Sequence, residues 1–290
     1  MVNALSFDVE DYYKIVARDW LSQNIPVSSE VVRDTEQILD ILRTYNVTAT
    51  FFIVGDVAQQ YPELIRKIAN HGHELGIHGH NHFLINTINN RQFDEEIKKN
   101  INSIEKACGI KPRCHRAPAF SLKADNNEAI EVLSENGILL DSSLFPFSGS
   151  RYGSAKIPRK PYKISVKNGT AIWEMVLPTC ILFGRRIPIA GGGYLRIMPC
   201  LYTRWAIKRV NRENIPVTVY MHSYEIGTFN AGIMDVSKAK IQDKIKFRIK
   251  NIKQQVRRKS CKKKLVRLLE EFNFTSCGSA LTYWQEKNKL

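Results

Sequence analysis

A (β/α) barrel of about seven parallel strands is the α/β fold this sequence predicts, and three observations predict it. Short apolar, strand-like runs alternate with helix-periodic stretches, the pattern of a parallel sheet with helical crossovers. Successive strand-like runs end in polar residues, Asp8, His78, Arg116 and Asp141, and a barrel collects such residues at the C-terminal ends of its strands. The length, 290 residues of which 43% are hydrophobic, suffices for a large core and favours seven or eight barrel units over an open sheet. The expectation is one domain over 1–290, with a motif-bearing core at 5–222, an inserted β segment, and a C-terminal extension at 223–290.

The first strand ends in three carboxylates, Asp8, Glu10 and Asp11. On a strand Asp8 and Glu10 share a face and Asp11 does not. Acids bunched this way are costly to hold together without a cation between them. Ser28 and Ser29 start a helix striped by Val31, Ile38, Leu39, Ile41 and Leu42. A buried strand is expected over 48–55, a helix over 62–70 closed by His71 and Gly72, and a strand through Ile77. Helices over 93–108 and 127–136 flank a strand-like 113–118, and 138–141 is a strand ending in Asp141. The rhythm breaks over 142–199, where turn residues such as Gly149, Gly153, Pro158 and Pro161 precede a strand at 171–177 and the glycine run 191–193. That run lacks phosphate-loop spacing, so it reads either as a permissive turn beside a ligand cleft or as a plain flexible loop. A helix over 201–214, a strand over 216–222 ending in His222, a helix over 264–272, a strand over 274–277 and a helix from Ser279 complete the wall.

Three of the seven histidines, His78, His80 and His82, fall within five residues. On an extended strand His78 and His82 would stand about 13 Å apart at about 3.3 Å per residue. That is too far for one zinc, whose ligand nitrogens lie at about 2.1 Å. A helical turn after Ile77 would put both on one face, and a carboxylate from elsewhere must complete the site.

Six cysteines without Cys-x-x-Cys spacing, and the absence of a secretory leader in the sequence as written, point to reduced thiols in the cytoplasm. No run of about 18 apolar residues predicts a membrane span. Charge is concentrated over 238–267, where fourteen Lys/Arg face one acid, Asp243, against +15 for the whole chain. Ile241, Ile245, Ile249, Ile252 and Val256 keep helical spacing there, so the segment reads either as a solvated helical face or as a contact for an anionic membrane or lipid-linked glycan. Nucleic acid is not expected, because no stacking aromatics are interleaved with the charges.

In order along the chain, Asp8-Val9-Glu10-Asp11, His78-x-x-x-His82, Arg116-x-Pro118, Asp141 and His222 resemble the polysaccharide deacetylases with a NodB-homology domain (the fourth carbohydrate-esterase family). The likeness is greatest to the branch whose first motif reads Phe-Asp-Val-Glu-Asp. The resemblance implies a distorted barrel and metal-dependent removal of N-acetyl groups from a sugar, as in surface-polysaccharide biosynthesis. It implies Asp8 as general base, Arg116 orienting that carboxylate and keeping it ionised, His222 as general acid, and Asp141 as a candidate to hold His222 protonated. It implies His78, His82 and a carboxylate as ligands of a divalent metal, zinc by choice, with cobalt, nickel or manganese also suited. Most of the family sets the base and the metal-binding aspartate side by side, whereas here Val9 and Glu10 intervene. Glu10 and Asp11 both stay open as the third ligand, with strand geometry slightly favouring Glu10. Pro118, Tyr194 and Gly192 are expected to line the substrate site. Tyr12, Tyr13 and Trp173 suit sugar stacking and core filling equally, and His80 should sit behind the ligands or be exposed. The alternatives are hydrolysis of a small amide or ureide on the same fold, or a non-catalytic glycan- or membrane-binding protein.

Overall fold

A computed structural model describes residues 1–289 apart from 148, 150–152, 168, 228–235 and 238–239. The elements are β1 (Val2–Val9), α1 (Tyr12–Leu21), α2 (Glu30–Tyr45), β2 (Thr50–Ile53), α3 (Gly55–Gln60), α4 (Pro62–Asn70), β3 (Glu74–Ile77), α5 (Asn90–Cys108), β4 (Cys114–His115), α6 (Asn127–Glu135) and β5 (Leu140–Asp141). There follow β6 (Tyr162–Ser165), β7 (Ala171–Glu174), β8 (Thr179–Leu182), β9 (Arg185–Pro188), α7 (Gly192–Ile197), α8 (Cys200–Arg212), β10 (Thr218–His222) and α9 (Ser223–Ile226). The chain ends with α10 (Ile241–Gln255), α11 (Cys261–Glu271), β11 (Asn273–Thr275) and α12 (Cys277–Asn288).

One sheet runs β10-β1-β2-β3-β4-β5-β7-β6, with β11 also paired to β1. Every pairing is parallel except that of β6 with β7, so β10, β1, β2, β3, β4, β5 and β7 supply the seven parallel strands expected. Among the described residues the ladder runs from β10 to β6 and does not close. Beyond β10 there is one parallel bridge, Gly191 to Tyr220. The hairpin of β8 and β9 and the β6–β7 pair are the inserted β segment.

The register explains what the sheet presents. Val9, Ile53, Ile77, His115, Asp141 and Glu174 lie in one row across adjacent strands. Side chains alternate between faces along each strand. On one face, Leu5, Phe7, Phe51, Ile53 and Ile77 join the main core with Ile38, Ile65, Ile97 and Ile104 of the flanking helices. On the other, Ala4, Phe52, Cys114 and Leu140 pack against Cys277, Leu281 and Trp284 of α12. Further along that second face come Asp8 and Arg116, whose guanidinium stacks over Phe52 at 4.1 Å. Trp173, which suited sugar stacking and core filling equally, meets Trp284 at 6.4 Å and packs against this second core.

Candidate active site

β1 ends at Val9, and the next side chain, Glu10, turns toward the end of β3. Its Oε2 lies 3.6 Å from Nε2 of His78 and 2.9 Å from Nε2 of His82. One donor atom from each of the three falls within 4.8 Å of the others, and all three residues are buried. Burial opposes charge on Glu10, but the imidazoles of His82, His222 and His78 outweigh it and hold the carboxyl well below its usual range. Asp11 is the ligand option that the structure sets aside. Its carboxylate caps α1, accepting from the amides of Tyr13 (2.9 Å) and Ser28 (2.5 Å). The turn at Asp11 occupies that side chain, as its other-face parity allowed.

The two histidines come together without the helical turn expected. Residues 78–84 are irregular, and Gly79 (φ 71°) and His82 (φ 57°) take left-handed conformations that reverse the chain. A histidine at positive φ is strained and needs outside support. Asn100 donates to the Gly79 carbonyl at 2.8 Å, Glu96 accepts from the Asn81 amide at 2.7 Å, and Arg18 donates to the carbonyls of Asn81 and His82. His78 Nδ1 sits 2.8 Å from the carbonyl of Arg116, which can only accept, so that nitrogen carries a proton and Nε2 is the atom turned toward Glu10, bearing the lone pair in the neutral ring. His80 is half-buried off the trio, its ring against Gly55.

Arg116 is fully buried. It donates to Asp8 Oδ1 at 2.7 Å, to the Ser142 carbonyl at 3.0 Å and to Ser142 Oγ at 3.0 Å. Asp8 is thereby fixed by one oxygen, and its Oδ2 lies 3.8 Å from Nε2 of His222. His222 Nε2 is also 3.9 Å from Glu10 Oε1, while its Nδ1 contacts Glu225 Oε2 at 3.1 Å. Burial disfavours the imidazolium, but the charges of Glu10, Glu225 and Asp8 prevail and raise His222 to about 9. Arg196 completes this side, bonding Glu225 at 3.2 Å.

Asp141 does not reach His222. It stands in the row of His115, one residue short of the Arg116 position, and so faces the opposite side of the sheet. There it accepts from Ser143 Oγ at 2.7 Å and pairs with His115 Nδ1 at 2.6 Å. Burial and the Asp141 charge push the neighbouring Glu174 well above the usual carboxylate range. The partner of His222 is Glu225, whose signal in the sequence was the His222-x-x-Glu225 spacing of a capping box.

The three residues expected to line a substrate site divide. Gly192 (φ 44°) abuts the donor side: a Cβ there would come 3.2 Å from His222 Cε1, and one on Gly191 would overlap the Tyr220 ring. The glycine run is therefore packed against β10 and is not a free loop. Tyr194 joins an aromatic cluster with Phe120, Phe145, Phe147 and Tyr220. Pro118 is buried and packs close to the 78–82 turn, where a Cβ on Gly79 would come 3.2 Å from its Cγ. It leads into Ala119 (φ 49°) and Phe120 (φ 55°), two consecutive left-handed non-glycine residues. These, with Leu84, Ser121, Phe145 and Ile157, line a cavity of about 620 Å³.

Comparison with known proteins agrees with this fold. The polysaccharide deacetylase family profile matches residues 25–139. Residues 25–139 thus carry a polysaccharide deacetylase domain match, about two fifths of the chain. Residues 142–282 match a domain of unknown function, DUF3473, so the deacetylase match covers His78, His82 and Arg116 while His222 and Glu225 lie in the second region. A peptidoglycan-N-acetylglucosamine deacetylase of Bacillus cereus is 34% identical over 84 residues, 29% of this chain and 30% of that protein. A chitooligosaccharide deacetylase of Rhizobium leguminosarum bv. trifolii is 35% identical over 74 residues, 26% of this chain and 34% of that one. The matches thus span about a third of these relatives' own lengths. A Mycobacterium smegmatis structure described under the same family heading shares the fold, with TM-score 0.65 at 19% identity over 99% of this chain and 90% of that one.

Proposed function

We propose that this chain is a metal-dependent hydrolase that removes N-acetyl groups from a sugar of a surface polysaccharide or its precursor. One observation carries the reading: the trio Glu10, His78 and His82, the pair Asp8–Arg116 and the pair His222–Glu225 converge at the C-terminal ends of β1, β3, β4 and β10. Two imidazoles and one carboxylate suit zinc and leave coordination positions open, and the locked Nδ1 of His78 presents the correct nitrogen. A divalent metal held by these three would polarise the acetyl carbonyl and make water a nucleophile near neutral pH.

The chain's own groups then have distinct tasks. Arg116 holds one oxygen of Asp8, which leaves Oδ2 to take a proton from the attacking water. His222, protonated up to about pH 9, has its Nε2 facing the same space and delivers a proton to the departing amine. The cavity walled by Phe120 and Phe145 offers apolar faces to neighbouring sugar rings. The names of the relatives, which act on peptidoglycan and chitooligosaccharide, support an N-acetylated glycan over a small amide. Six unpaired cysteines support a reducing, cytoplasmic setting. The test is metal content and acetate release on purified protein offered N-acetylglucosamine oligomers. One metal per chain with acetate release that stops on chelation is expected, and full turnover after chelation would contradict the reading.

A further inference from the structure

The basic segment forms α10, and its orientation is the reverse of a core-facing amphipathic helix. Lys238, where the basic run begins, lies outside the described residues. Phe247, 2% exposed, anchors the helix edge-on to Trp20 of α1, at 6.0 Å between ring centroids. Gln254 accepts from Arg196 at 2.6 Å. At about 100° per residue, Phe247 and Gln254 share one face, while Ile241, Ile245, Ile249 and Ile252 fall within about 80° on the opposite one. Those four isoleucines are 76%, 55%, 49% and 65% exposed, and Val256 just beyond is 45% exposed. On the same wheel Lys244 and Arg248 border the stripe on one side, Lys246 and Lys253 on the other. The helix is thus held to the protein by one aromatic and polar contacts and turns its apolar stripe outward.

We propose that α10 docks the protein on an anionic membrane surface, its isoleucine stripe in the headgroup–acyl boundary and its lysines against anionic headgroups. An apolar stripe flanked by cations is what a helix lying in the plane of a bilayer requires, each part supplying its own share of the attraction. A second copy of the chain is disfavoured as occupant, because two such stripes would bring two lysine rims together. A soluble polyanion would use the charges and leave the isoleucines in water. No described helix is long and apolar enough to cross a membrane, so the contact is interfacial. Through Gln254, Arg196 and Glu225 the docking helix is also joined to the His222 pocket, which fixes the cleft relative to the lipid surface.

Co-sedimentation of the full chain with vesicles tests this independently of any catalysis. Vesicles of phosphatidylcholine with one part in three of phosphatidylglycerol should bind it, those of phosphatidylcholine alone should bind it less, and rising salt should weaken the binding to the anionic vesicles. The charge-neutral pair Ile245→Asn with Ile249→Asn, both on the exposed face, should lower the partition onto anionic vesicles about tenfold or more while circular dichroism stays unchanged. Lys246→Gln with Lys253→Gln should lower it less and reduce its salt dependence. No binding to anionic vesicles, or an isoleucine pair variant that binds as tightly as the parent, would overturn the proposal. A parent dimer turned monomeric by the same pair in light scattering would overturn it too, in favour of a self-interface.

Discussion

His78 and His222 are the same side chain in neighbouring pockets, and the group behind each ring gives them opposite properties. Behind His78 is a neutral acceptor, the Arg116 carbonyl, which fixes a proton on Nδ1 and leaves Nε2 the lone pair of the neutral ring. Behind His222 is the buried carboxylate of Glu225, 2% exposed, which stabilises the doubly protonated ring. In the function proposed above, the first arrangement suits a metal ligand and the second an acid. Glu10 lies between them, 3.6 Å from His78 and 3.9 Å from His222, while Asp8, two residues back on the same face, stands 3.8 Å from His222 alone.

That contrast can be broken most severely at Asp8, the carboxylate that Arg116 holds beside His222. Asp8→Asn should retain the metal and lose at least about a hundredfold in turnover, the usual scale for a general base; unchanged acetate release would remove Asp8 from the role. Glu225→Gln should cost at least about tenfold, a part of what general-acid catalysis supplies, with metal content unchanged. His222 holds its proton up to about 9, so turnover should fall as pH rises through that value. Without the Glu225 charge the fall should begin at lower pH, and an unmoved alkaline limb would show that Glu225 does not tune His222. The smallest effect on chemistry is expected from Asp141→Asn. Its partners lie on the other face of the sheet, so thermal unfolding should shift by about 1–3 kcal/mol while the pH–rate profile keeps its shape.

Residues whose roles depend on short spacing were legible in the sequence. The pairing of His78 with His82 and the strand alternation favouring Glu10 over Asp11 came from local spacing, though the helical turn expected for the histidines is an irregular one; Arg116 entered through the resemblance carried by Arg116-x-Pro118. The seven parallel strands also came from local spacing, since apolar runs alternate with helical stripes. Asp141 misled because its place at a strand end was read without its parity: one residue decides which face a strand side chain meets. The supports of the 78–82 turn (Arg18, Glu96 and Asn100) and the Arg196–Glu225 pair act across long sequence separations, and spacing carries no trace of them. In α10 the isoleucine period was visible, but periodicity gives a stripe and not its direction. Only the anchoring of Phe247 on Trp20 turns that stripe outward.

The division of labour between the two histidines is tested most directly by metal stoichiometry in two single variants, His78→Ala and His222→Ala, each assayed beside acetate release. The account predicts that both lose turnover, that His78→Ala loses the metal, and that His222→Ala keeps one equivalent. Metal retained by His78→Ala, or lost from His222→Ala, would contradict it.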